Sequence, residues 1–251
     1  MTARTRPSGI VHWGDATDAA HGGETTEGTD GVRIAPHIQH TLIGIGTTRA
    51  RTIRHAEEAA EHGFDAAMVA GSCVALTAEV LRGTGVKVAS ALDFPTTGVM
   101  TSAGKAAEAA ELVRQGADQI DIGVQIGWLK DGRYADFRTD IAGVVAAGVP
   151  VKVMLELPLL TGSERDAAVE LAVEAGAAYL KNASSGAVEK ASVASIRYLV
   201  AKAPAGIGVK GSGGIATLEH ALSLIRAGAA LVGSSNSVAI VTGGVSDGES
   251  Y

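Results

Sequence analysis

Two lysines in this sequence stand where charge is hard to keep. Lys181, in AAYLKNASSG, and Lys210, in GIGVKGSGGIAT, each lie in a short apolar run followed by a turn rich in glycine and serine. An unperturbed lysine has a pKa near 10.4, so on the order of one in a thousand is a free amine at neutral pH. Bringing that pKa down to ~7 shifts the balance between the protonation states by roughly 4–5 kcal/mol. Two ammonium groups at close range disfavour each other's proton, and apolar surroundings disfavour both charges. A neutral lysine attacks carbonyl carbon and forms a Schiff base, and that is the chemistry the pair suggests. Asp121, in ADQIDIGVQ, falls inside an otherwise apolar run. A buried carboxylate is costly unless paired, so a lysine from a neighbouring strand is its expected partner. An ion pair that merely fills the interior is the competing reading.

The turns themselves suggest a second task. Glycines after a strand let backbone N–H groups crowd around an anion. Gly186 after NASS, Gly213 with Gly214, and Gly233 with Ser234 and Ser235 form three such clusters. They are expected to hold a phosphate, although tight turns also need glycine on their own account.

The elements that must position these groups repeat along the chain. From residue 35 onward a helical stretch ends in Gly, passes one or two small residues, and enters a β-branched run. EHGFDAAMVA, RQGADQIDIGVQ, AAGVPVKVMLEL and RAGAALVGSS are examples. Glycine after a helix takes φ > 0 without a Cβ clash. The nearly continuous apolar runs suit parallel strands buried on both faces. Seven strands come from this phrase, and QHTLI at 39–43 makes an eighth. Helices are expected near 48–62, 73–83, 101–115, 133–147, 163–175, 188–203 and 217–227. This alternation predicts an α/β protein built as a (β/α)8 TIM barrel, with chemistry at the C-terminal ends of the strands. A doubly wound sheet would advertise a dinucleotide loop after its first strand, and TLIGIGTT is a poor match. In a barrel Lys181 and Lys210 end adjacent strands. Lys152, in PVKVMLEL, falls near a strand start and reads as a structural or surface lysine. Glu156, four residues later, is placed to orient a neighbouring lysine.

Composition narrows the function classes. The 251 residues are 46% hydrophobic, enough for a large core, and only 4% aromatic. A net charge of −6 argues against nucleic-acid binding. One cysteine, Cys73, rules out an internal disulfide and a cysteine metal cluster. No apolar run approaches the roughly 20 residues that span a bilayer, and no signal-peptide stretch opens the chain. A soluble cytoplasmic protein without membrane partners is expected. Residues 1–34 are rich in Gly, Thr, Asp and Glu and read as a mobile extension before a single domain at 35–251. His12 and His21 within it have no companion ligands, so no metal is expected.

From residue 36 onward the chain resembles deoxyribose-phosphate aldolase, the class I aldolases of the DeoC family. GADQIDIGVQIGWLKDGRY and GIGVKGSGGIAT carry the resemblance most specifically, with GTGVKVASALDFP, VKVMLELPLLT and AGAALVGSSNSVAIV in support. The resemblance implies a Schiff base on Lys181, with Lys210 as the second active-site lysine and Asp121 as the proton-relay aspartate. It implies phosphate contacts at Gly186, Gly213, Gly214, Gly233 and Ser235, and a role for a terminal tyrosine, here Tyr251. It implies aldehyde and sugar-phosphate substrates and no cofactor, and leaves a homo-oligomer open. Several positions depart from the family pattern. The family's Lys-Thr-Ser-Thr-Gly becomes KNASSG, one residue longer. Gln39 replaces an aspartate, and Ala216 a frequent basic residue. Met68, Ala70 and Gly71 replace a Cys/Asn/Pro-type cluster, and Asn236 a second serine. These departures leave two alternatives, an aldolase with another donor, such as a ketone phosphate or pyruvate, and a non-catalytic barrel that binds a phosphorylated ligand.

Overall fold

A computed structural model describes residues 33–244. The expectations for Tyr251 and for the extension up to residue 32 lie outside the described residues. Ile34, assigned above to the extension, is instead packed into the core.

Eight parallel strands close into a barrel in which each pairs with the next in sequence and the last with the first. They are β1 (Ile38–Leu42), β2 (Ala66–Val69), β3 (Lys87–Leu92), β4 (Gln119–Gly123), β5 (Val151–Met154), β6 (Tyr179–Lys181), β7 (Gly208–Ser212) and β8 (Leu231–Ser234). Between them run α1 (Arg49–His62), α2 (Val74–Val80), α3 (Ser102–Arg114), α4 (Ile126–Lys130), α5 (Tyr134–Val145), α6 (Gly162–Glu174), α7 (Val193–Lys202) and α8 (Leu218–Arg226), and α9 (Ser237–Thr242) follows β8. The expected (β/α)8 barrel is the observed fold.

Local chemistry sets the helix starts. Thr48, Thr101, Thr161, Ser192 and Thr217 each accept a backbone N–H from three residues on, satisfying a donor the first turn would otherwise leave unpaired. At Thr161 the Glu164 side chain returns the bond and completes a capping box. Gly63 ends α1 at φ 64, a left-handed backbone conformation that glycine adopts without strain. The helix expected from 188 begins only at Val193. The stretch before it stays irregular because it packs on the turn after β7, where the Ala191 N–H donates to the Gly213 carbonyl. The short helices α4 and α9 lie outside the expected helical stretches.

Strand alternation gives the barrel two different faces. Outward residues, among them Ile38, Ile120, Ile122, Val153, Leu180 and Val232, are buried under helices that present mainly alanine and leucine. The inward apolar cluster is small, namely Ala66, Met68 and Ala89 with Ile43 and Ala91 against it. Polar and charged side chains fill much of the remaining interior. Among the described residues, no helix is long and apolar enough to cross a membrane.

Candidate active site

Register brings the charged residues together. Asp121 on β4 lies opposite Lys152 on β5, and Lys181 on β6 lies opposite Lys210 on β7. The four side chains meet inside the barrel. Asp121, wholly buried, receives Lys210 Nζ at 2.7 Å and Lys181 Nζ at 3.0 Å on Oδ2, and has Lys152 Nζ at 3.2 Å from Oδ1. The expected carboxylate–lysine pairing is therefore a cluster of three lysines on one aspartate.

Lys152 corrects the surface part of its reading. It is wholly buried, because the alternation that turns Asp121 inward turns its register partner inward as well. Its ammonium position also lies 5.8 Å over the Tyr179 ring.

Burial disfavours an ammonium on Lys210, and the neighbouring Lys181 and Lys152 add to that against the opposing pull of Asp121; its pKa falls to about 7. Burial likewise lowers the pKa of Lys152. Burial alone would raise the Asp121 pKa, but the three lysines outweigh it and hold the group ionised well below the usual carboxylate range. Lys210 is the more deeply buried of the pair, at 1% exposed against 5% for Lys181.

Above the cluster lies a cavity of about 10 Å³ lined by Thr41, Ile43, Met68, Ala91, Phe94, Asp121, Lys181, Lys210 and Ser212. That is room for about one water molecule. Beside it, a cleft of about 20 Å³ is lined by 184–186, 212–215 and 233–236. All five residues expected to contact phosphate line it, and among the described residues no lysine or arginine does. Its shape demands glycine, since a Cβ at Gly213 would overlap the Glu189 carbonyl oxygen and one at Gly186 would sit 3.0 Å from the Gly214 nitrogen. Asn182, the first departure in KNASSG, ties this loop to β7. Its amide donates to the Ser212 carbonyl at 3.1 Å and to Glu189 at 3.0 Å, and its oxygen accepts the Ser212 N–H at 2.9 Å.

Glu156 lies near enough to Lys181 to feel its charge, and it also holds a loop. Among the described residues it makes no ion pair with a lysine; its Oε1 accepts the Ser184 N–H at 3.0 Å and so holds the cleft loop. Burial raises its pKa. It adopts φ 51, one of two non-glycine residues with positive φ among those described.

The other is Asp93, at φ 54, and it belongs to a buried group with no signal in the sequence. Lys105 on α3 is wholly buried, with Nζ 2.5 Å from Asp140, 3.3 Å from Asp93 and 3.0 Å from the Gly123 carbonyl. The Asp93 carboxylate accepts backbone N–H groups from Gly98, Val99 and Met100 at 2.8–3.0 Å. This clamp fixes the loop that carries Phe94 to the cavity wall. Lysine 105 sits in an alanine-rich helical stretch that reads as solvated, so only its unexplained neighbours in space reveal it.

One further group was not anticipated. Between β1 and α1, His40, His55 and Glu58 place ligand-type atoms within 4.8 Å of one another. The two rings stack at 3.9 Å, His40 Nε2 lies 3.2 Å from Glu58, and Glu58 also pairs with Arg54. Burial and the His40 ring beside it lower the His55 pKa.

A scan of protein-family models returns no match. Whole-chain comparison is decisive. The chain is 42% identical over 212 residues to a deoxyribose-phosphate aldolase of Methanothermobacter thermautotrophicus, covering 84% of this chain and 94% of that one. The chain belongs to the deoxyribose-phosphate aldolase family. A Streptococcus suis member is 38% identical over 220 residues, covering 87% of this chain and all of its own length. Among solved structures, the aldolase QR15 matches with a TM-score of 0.78 at 28% identity, over 83% of this chain and 94% of that one. The tetrameric family member from Aeropyrum pernix matches with a TM-score of 0.76 at 27% identity, over 83% and 89%.

Proposed function

We propose that this protein is a class I aldolase that reversibly cleaves 2-deoxyribose 5-phosphate to acetaldehyde and glyceraldehyde 3-phosphate. The observation that carries the reading is one buried carboxylate shared by Lys181 and Lys210 in a cavity beside a glycine–serine cleft. In the cleavage direction, the neutral amine of Lys181 adds to the aldehyde carbon of the open-chain sugar, and loss of water leaves an iminium. The C3 hydroxyl gives up its proton as the C2–C3 bond breaks. The bonding pair moves into C2 and the iminium nitrogen, which becomes an enamine, and glyceraldehyde 3-phosphate departs. Protonation at C2 restores an iminium, and water then releases acetaldehyde and the free lysine.

Lys210 suits the proton transfers because its pKa of about 7 makes both forms available near neutrality. Asp121 stays ionised and holds the two amines against each other. The cleft built on Gly186, Gly213, Gly214, Gly233 and Ser235 would take the phosphate, with backbone N–H groups as donors. A homo-oligomer is the proposed solution state, supported by the tetrameric relative, and sedimentation would measure it. Borohydride reduction in the presence of acetaldehyde tests the assignment. An ethyl group on Lys181 is expected; modification elsewhere, or none, rejects it. A donor panel including pyruvate and a ketone phosphate checks the substrate.

A further inference from the structure

Gln39 is buried on β1 with its amide wedged between the reactive cluster and the bottom of the barrel. Its Nε2 donates to Asp65 Oδ2 at 2.8 Å and to Gln119 Oε1 at 2.6 Å. Both amide protons are spent, and a flipped amide would set oxygen against the Asp65 carboxylate. The orientation is therefore fixed by its partners. Its Oε1 is left facing Lys210 and accepts from Nζ at 2.6 Å. Lys210 thus has two acceptors, Asp121 and this carbonyl oxygen.

We propose that Gln39 is a positioning residue for Lys210, a rigid neutral acceptor that aims its amine at Asp121 while adding no second anion to the cluster. The inference rests on the reading that Lys210 transfers protons in the aldolase reaction. Around Lys210 the facing charged groups are Asp121 from β4, Lys152 from β5 and Lys181 from β6. The next carboxylate, Asp65, stands beyond Gln39 and is paired with Lys87 at 2.5 Å. Three amines and one carboxylate leave the cluster short of negative charge, and burial then favours a neutral amine. A carboxylate at position 39 would reverse that balance. It would hold more of Lys210 as an ammonium near neutrality and move its proton exchange to higher pH. The same position filled by an apolar side chain would leave the amine with one acceptor and a loose aim.

Two substitutions separate charge from position. In Q39E the limb of the kcat/KM profile near pH 7 should move up by about one pH unit or more, as an added nearby anion requires. In Q39E/D65N the new carboxylate gains a donor in place of a repelling neighbour, and the same upward shift is expected. In Q39M kcat should fall about tenfold with KM little changed and no upward shift of the limb. Titration of 13C-labelled lysine by NMR, assigned with K210M, reads the ionisation directly and needs no turnover. An upward-moved Lys210 titration in Q39E supports the inference. Superimposable titrations in wild type and Q39E, or an unaltered kcat in Q39M, overturn it. If the wild type fails to cleave 2-deoxyribose 5-phosphate, the proposed reaction falls, and the titration still decides the role of Gln39.

Discussion

The barrel holds two clusters of buried charge with opposite balances. Inside the strands, three lysines share Asp121. Outside them, between α3 and α5, one lysine is shared by Asp93 and Asp140. In the outer cluster a single ammonium faces two carboxylates, and the Asp93 oxygens also take three backbone N–H donors, while Asp140 Oδ1 has no hydrogen-bond partner. The inner cluster has the reverse balance. One carboxylate does not offset three buried ammonium groups, and Lys210 releases its proton near neutrality. An excess of carboxylate gives a clamp on the loop, and a deficit gives a group ready to exchange protons.

The comparison breaks or sharpens under substitution, and the largest effect should come from Lys181. In K181M no iminium can form, and turnover should fall on the order of 10⁴-fold or more, with borohydride trapping abolished. The outer cluster should answer in stability. K105M strands two buried carboxylates and is expected to cost about 3–5 kcal/mol in urea unfolding. Its kcat/KM limb near pH 7 should stay in place, and a moved limb would show that the two clusters are coupled. D121N leaves three amines without their anion. A loss of roughly 10²-fold in kcat is expected, with the limb moved to lower pH.

A smaller effect concerns pH and stability. Lys210 has a pKa of about 7 when folded, against a reference of 10.5. Between those values the unfolded chain holds a proton that the folded chain has released, so stability rises with pH across this window. The contribution of this group is up to ~1.4 kcal/mol per pH unit, and below pH 7 it adds no slope. Denaturant titrations of wild type and K210M should differ by that slope, while Lys152 contributes to both. The smallest effect belongs to neither cluster. T161A removes the α6 cap and should cost about 1 kcal/mol without touching kcat.

The repeated helix–glycine–strand phrase made the barrel legible, since outward strand faces and helix ends obey local rules of burial and dihedral freedom. Lys181, Lys210 and Asp121 were legible because charge interrupts apolar runs. Lys152 misled because its position along a strand was read without its register partner. The hydrogen bond of Glu156 was not legible, because its partner is a backbone N–H twenty-eight residues away. Asp93, Lys105 and Asp140 gave no signal, as each sits among ordinary loop or helix residues until folding brings them together. The five cleft residues were readable as glycine and serine turns, yet the reason for glycine at position 213 is a carbonyl oxygen from another loop.

By itself the sequence determined the alternation of strands and helices, the capping of the helices and the burial of several polar residues. Periodicity and turn chemistry act between residues a few positions apart, and a single chain displays them directly. Tertiary structure decided the charge balance. Closing the barrel set three amines on one carboxylate, turned the Gln39 carbonyl toward Lys210 and gave Lys105 two carboxylates. A pKa depends on distances and burial summed over every neighbour in space, and those neighbours come from strands scattered along the chain.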